Sequence, residues 1–186
     1  MSVNLWPKDL GKPNFVDRVQ RLIGAHDVRA DRLELEFTEG AVAADDTATL
    51  ARLGQIRELG VTVAIDEFGS GYSNMAYLTE IPAEVIKIDK GFVQHVQPSG
   101  QSGFLPGMIA DLAHGPGFRV VGEGVETTDA CDCLRRIGCT QAQGHYSSDP
   151  LPVGAITDWL KAHAKPPREL RNSGSRNSGS LRPRRI

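Results

Sequence analysis

The sequence lacks any long apolar run: no stretch exceeds the five residues Val61 to Ile65, themselves interrupted by Thr62. A membrane-spanning helix needs about 20 apolar residues, so these residues encode none. Cysteine is scarce. Cys131, Cys133 and Cys139 are odd in number, which argues against a disulfide framework. Together with His145 they are a poor match to zinc-ligand spacings, and packed thiols are the expected role. The start, MSVNLWPKDL, has neither a basic segment before an apolar one nor a small-residue cleavage site, which sets the cytoplasm as the expected location. What is present is an ordinary globular composition, 40% hydrophobic and 24% charged in 186 residues, enough for one domain with a sizeable core.

Positive charge is scarce in the body of the chain. The 26 residues from Lys161 onward hold 8 of the 21 basic residues and one acid, Glu169, which leaves the rest at a net charge of −9. An acidic body lacks the basic face that DNA or RNA binding requires, and its carboxylates suit divalent cations. From Pro166 the composition turns to Arg, Ser, Gly, Asn and Pro, with RNSGS repeated at Arg171 to Ser175 and Arg176 to Ser180. We therefore expect a folded unit over 1–165 and a basic disordered tail over 166–186.

Hydrophobic periodicity predicts strands at Ser2 to Leu5, Leu33 to Phe37, Val61 to Ile65, Glu84 to Ile88, Phe118 to Val121 and Cys139 to Ala142. Helices are predicted at Asn14 to Gly24, Asp46 to Leu59, Ser73 to Leu78, Phe104 to Ala113, Thr128 to Ile137 and Gly154 to His163, with Gly60 closing the second and Thr127 or Thr128 capping the fifth. About six βα units in strict alternation require an α/β fold with a parallel sheet, doubly wound or closed into a barrel.

Nearly every predicted strand ends in a residue able to bind a metal or move a proton: Asn4, Glu36, Asp66 and Glu67, Lys87 and Asp89, Glu123, Gln143. The carboxyl ends of parallel strands collect at one face, so these residues are expected to converge. Alternation puts Glu34 and Glu36 on one face of their strand, and Thr62, Ala64 and Asp66 on one face of theirs, opposite the large apolar residues. Lys87 then points inward. Burying a lysine is costly without carboxylates, and Asp66, Glu36 and Glu123 are the expected partners. Glu36, Asp66, Glu67 and Glu123 with Asn4 form a hard oxygen donor set suited to Mg²⁺ or Mn²⁺. A two-ion clamp of that kind serves phosphodiester hydrolysis. The glycine- and serine-rich segment DEFGSGYSN is either an anion-binding nest or a tight turn.

The blocks SVNLWPKDL, LELEFTE, IDEFGSGYSN, VIKIDKGFV, VVGEGVET and QAQGHYSSDPL, in this order, resemble the EAL-domain phosphodiesterases that hydrolyse cyclic di-GMP to linear pGpG. The resemblance, running from Val3 to His163, implies a TIM-type (β/α) barrel. It implies Asn4, Glu36 and Asp66 as ligands of one metal, Asp66 as the bridge, and Glu67 and Glu123 as ligands of a second. It further implies that Lys87 orients the attacking water and that Gln143 closes the water network beside Glu123. Ser70, Gly71 and Tyr72 then belong to the substrate-binding loop, and Glu39 anchors the loop Phe68 to Asn74, which couples dimerisation to metal binding. A homodimer is implied as well.

Three departures accompany the resemblance. The Glu-Ala-Leu motif on an earlier strand is absent, the family's Asp-Asp pair reads Asp66-Glu67, and Gly122 replaces an alanine. A full barrel takes about 250 residues and eight strands, so the expectation is an incomplete barrel with two open edges. Two functional readings stand: a phosphodiesterase in truncated and inactive or weakened form, or a degenerate module that binds cyclic di-GMP or a protein partner.

Overall fold

The computed structural model describes residues 1–41, 47–69, 78–94, 104–115 and 117–162. The strands are β1 (Ser2–Asn4), β2 (Glu34–Thr38), β3 (Thr62–Phe68), β4 (Val85–Ile88), β5 (Arg119–Gly122) and β6 (Gln141–Ala142). They form one six-stranded sheet in sequence order, every neighbouring pair parallel. Sequential order with helical crossovers curls the sheet into a half-barrel in which β1 and β6 are the open ends. The helices are α1 (Pro7–Leu10), α2 (Phe15–Ala25), α3 (Thr47–Glu58), α4 (Lys90–Gln94), α5 (Phe104–His114), α6 (Thr128–Arg136) and α7 (Val153–Ala162). No helix among the described residues is long and apolar enough to cross a membrane.

All six predicted strands are present, with ends displaced by up to three residues. The predicted helix at Ser73 to Leu78 and the tail from Pro166 lie outside the described residues, apart from Leu78. Two short helices escape the periodicity argument because a single turn carries no amphipathic repeat. Helix α1 opens on Pro7, whose fixed φ suits the first turn. Helix α4 follows Asp89, whose Oδ1 accepts from the Gly91 N–H at 2.7 Å. Of the two capping candidates Thr127 serves: its hydroxyl accepts from the Ala130 N–H at 3.2 Å and starts α6. Gly60, with φ of 87°, ends the turn after α3.

The two faces of the sheet carry different chemistry. Leu35, Phe37, Val63, Ile65, Ile86, Ile88 and Val120 face outward into the main core, against Leu53 and Ile56 of α3, Val93 of α4, Ile109 of α5 and Leu134 of α6. Burying each such side chain contributes about 1.5–3 kcal/mol. The inward face holds a small separate cluster, Ala64, Val85 and Val121. Above it, toward the carboxyl ends of the strands, the inward positions become charged.

The half-barrel exposes its flanks. All of β1 is exposed, and a groove of about 490 Å³ runs between β1, β2 and α2, lined in part by Val3, Leu5, Phe15, Val19, Ile23 and Leu33. Helix α7 leaves Val153, Ile156 and Leu160 exposed.

Candidate active site

Lys87 is the centre of the charged layer. It lies inward on β4, between the outward Ile86 and Ile88, and is 3% exposed. Its ammonium Nζ donates to Glu36 Oε2 at 2.9 Å and Glu123 Oε1 at 2.5 Å, and lies 3.5 Å from Asp66 Oδ1. These are the three partners that strand alternation selects. Their exposure grades from the interior to the rim, with side chains at 6% for Glu36, 15% for Asp66 and 18% for Glu123. The cluster therefore has a closed floor and an open mouth at the carboxyl-terminal edge.

Burial acts to lower the Lys87 pKa, but the hydrogen-bonded Glu123 and Glu36 carboxylates outweigh it and hold the ammonium above the ordinary lysine value. Lys87 is thus a hydrogen-bond donor at neutral pH and no base. Burial pushes the Glu123 carboxyl above its usual range even though the Lys87 ammonium pulls it down.

A bulge shapes the rim. Ala64 and Ile65 pair with Val85 and Ile86, whereas Phe68 pairs with Ile88, so β3 carries one more residue than β4 across this interval. The extra residue lies at Asp66–Glu67. Glu67 has φ of 52°, a left-handed conformation uncommon for a residue with a side chain, and its N–H donates to Asp66 Oδ1 at 2.9 Å. The bulge resets the alternation: Phe68, which strict period two would turn inward, is buried in the outer core. Asp66 stays in the cluster, while the Glu67 side chain is exposed beside it.

The other predicted site residues lie on the same rim. Asn4 pairs in register with Glu36 and is exposed on the open edge strand. Gln143 is exposed, held through its main chain: its N–H donates to Gly122 O at 2.8 Å and its carbonyl accepts from the Val125 N–H at 3.0 Å. Glu39 Oε2 accepts from the Gly69 N–H at 3.3 Å, at the start of the loop it was expected to hold. Ser70, Gly71 and Tyr72 lie outside the described residues. Unforeseen in the sequence are the close approaches behind the rim. A Cβ at Gly144 would fall 2.2 Å from Val125 O, and one at Gly124 would fall 2.5 Å from Lys90 Cβ. The GEG and QGH runs were the available signal.

Among the described residues no three acidic, histidine or cysteine side chains already surround a common point, because Lys87 occupies the middle of the carboxylates. Glu36 Oε1, however, is buried with no hydrogen-bond partner. An unsatisfied buried carboxylate oxygen is costly, and a cation held at the rim side would satisfy it. The residues fit the group. The cysteines contribute nothing here: Cys133 and Cys139 are buried in packing.

A parallel β/α half-barrel with oxygen donors gathered around a lysine at the carboxyl ends of its strands belongs to the barrel class that builds its sites at that rim. The EAL domain family model matches residues 1–150, and the chain belongs to that family. It is 35% identical over 161 residues to the cyclic di-GMP phosphodiesterase PA2567 of Pseudomonas aeruginosa, covering 87% of this chain and 27% of that protein. The chain thus spans about a quarter of the length of that curated relative. Among solved structures it superimposes on the PaMucR phosphodiesterase in complex with c-di-GMP with a TM-score of 0.77 at 33% identity, covering 83% of this chain and 69% of that one. It also resembles Klebsiella pneumoniae BlrP1 in a manganese and cyclic di-GMP complex, TM-score 0.70 at 30% identity, covering 78% and 37% of the two chains.

Proposed function

We propose that this chain carries the catalytic rim of a cyclic di-GMP phosphodiesterase that cleaves the cyclic dinucleotide to linear pGpG with Mg²⁺ or Mn²⁺. The observation that carries the reading is the orphaned Glu36 Oε1 beside Asp66 and Glu123. Asn4, Glu36 and Asp66 would hold one ion, and Asp66, Glu67 and Glu123 the other. Bound divalent ions supply Lewis-acid charge that activates water and neutralises phosphoryl oxygens. Lys87 stays protonated, so it donates a hydrogen bond that orients the attacking water and cannot itself remove a proton. Glu123, held beside that water by the Lys87 ammonium, would accept the proton. Gln143 closes the hydrogen-bond network around the water. Ser70, Gly71 and Tyr72 contribute to binding the dinucleotide, with Glu39 anchoring their loop. The reading includes residues 1–165 as the EAL-type unit, the basic 166–186 segment as an extension, and action as a cytoplasmic homodimer.

A second reading has its own support. Glu67 is exposed, in a left-handed conformation, and stands in place of the family's aspartate, so the second ion would be weakly held. A module with one ion would bind cyclic di-GMP without cleaving it. Chromatographic assay of pGpG formation with Mn²⁺, at high concentration of folded protein, separates the two. Product formation abolished by Asp66→Ala supports the enzyme, whereas calorimetric binding of cyclic di-GMP with Ca²⁺ and no turnover selects the module. Neither binding nor turnover overturns both.

A further inference from the structure

We propose that Trp6 is a stacking platform for one guanine of the cyclic dinucleotide, an inference that rests on the proposed function and adds a residue to it. Strand alternation assigns its side. Ser2 and Asn4 pair in register with Glu34 and Glu36, and the Ser2 hydroxyl donates to Glu34 Oε1 at 2.8 Å, so both lie on the inward face with Glu36. Val3 and Leu5 lie on the outer face, where they line the groove against α2. The Leu5 N–H still donates to Glu36 O at 2.7 Å, and Trp6 is extended, with φ of −81° and ψ of 134°. The alternation therefore runs through Trp6, which falls on the inward side with Asn4 and takes no part in lining the outer groove. A strand rises about 3.3 Å per residue, so Trp6 stands about 6–7 Å beyond Asn4, at the mouth of the cluster.

The main chain there is fixed before any ligand arrives. Pro7 restricts the residue ahead of it to extended geometry. Trp6 O accepts from the Asp9 and Leu10 N–H groups at 2.8 and 3.4 Å, and Leu10, 1% exposed, anchors α1 in the core. The ring itself is left open: Trp6 is 65% exposed, whereas tryptophan is ordinarily a well-buried residue. Its neighbours Asn4, Pro7 and Lys8 are exposed as well, which makes it one ring in a polar rim. A protein partner would call for a broader apolar patch, while one flat base needs one ring. With a phosphate held at the level of Asn4, the ribose carries its base away from the carboxylates and toward the indole. Ordering an indole costs only two side-chain torsions, so a stack on a fixed main chain keeps most of its free energy.

The test compares the parent chain with W6A, W6L and W6F, each shown to be folded by circular dichroism, in calorimetric titrations with cyclic di-GMP and Ca²⁺. W6A and W6L are expected to weaken binding about tenfold or more, the usual effect of removing a base–aromatic stack, and W6F to restore most of it. The chain has two tryptophans, Trp6 and Trp159, so in a W159F background the emission of Trp6 is read alone and should be quenched as the dinucleotide binds. W6A or W6L within about twofold of the parent overturns the stack, since that loss is too small for one. Unquenched emission with the ligand bound places the base elsewhere and overturns it too. A loss of Mn²⁺ affinity without nucleotide, as large in W6A as the loss of dinucleotide affinity, marks a structural role and is a third way to sink it. W6A altering only sedimentation assigns the ring to a contact between chains instead. A parent that binds no cyclic di-GMP overturns the proposed function and this inference together, whereas a binding parent with an unaffected W6A overturns the inference alone.

Discussion

The inward and outward faces of the same strands obey different rules. Outward, Phe37, Ile65 and Ile88 are closed into a core in which fit and buried apolar area are the stabilising terms. Inward, Glu36, Asp66, Lys87 and Glu123 are held by mutual charge at the cost of desolvation, and one oxygen, Glu36 Oε1, is left without a partner. Strands of this length can afford such a face only because their other face is so fully apolar. Stability and chemistry are thus divided across the thickness of a single sheet.

That division can be broken from either side. The largest effect is expected outside: Phe37→Ala, at a side chain 1% exposed, should cost about 3–5 kcal/mol in denaturant unfolding. In the protein that remains folded, Mn²⁺ affinity should not change; a large loss of affinity there would show the faces are not separable.

Inside, Lys87→Met removes the only cation among the buried carboxylates that the ion pairs describe. Breaking such a cluster from one side costs about 3 kcal/mol or more, because charges are left uncompensated. The diagnostic is the metal response: Mn²⁺ should raise the Tm of Lys87→Met more than that of the parent, since the ion replaces the missing positive charge. An equal response in both proteins would argue against a shared site.

The smallest effect concerns pH. Cys139 is packed in the outer core, and burial pushes its thiol pKa from 9.0 up to about 12, with the neighbouring Cys133 adding to the shift. A folded-state pKa above the unfolded one means the stabilisation is complete below pH 9 and is lost as pH rises toward 12. Unfolding free energy should therefore fall across this window in the parent and fall less in Cys139→Ala. Identical alkaline limbs would place the lability elsewhere.

Much of this arrangement is legible in the residues. Alternation in LELEF and VTVAI assigns the faces, and Ile86 and Ile88 flanking Lys87 turn the lysine inward to the three carboxylates it meets. The Asp66–Glu67 bulge is not legible, because period two carries straight through it; it arises where β3 must pair with a shorter interval of β4. The same holds for α1 and α4, too short to show a period.

The sequence by itself determined the order of the strands and of the longer helices, the face on which the strand residues ahead of the bulge lie and the collection of polar groups at the strand ends, because all three follow from local periodicity and parallel connection. The tertiary structure alone decided which oxygens reach Lys87, which one stays unpaired, and how close Glu123 comes. Those distances depend on the curl and register of the sheet and on helices packed behind it, which no local pattern contains.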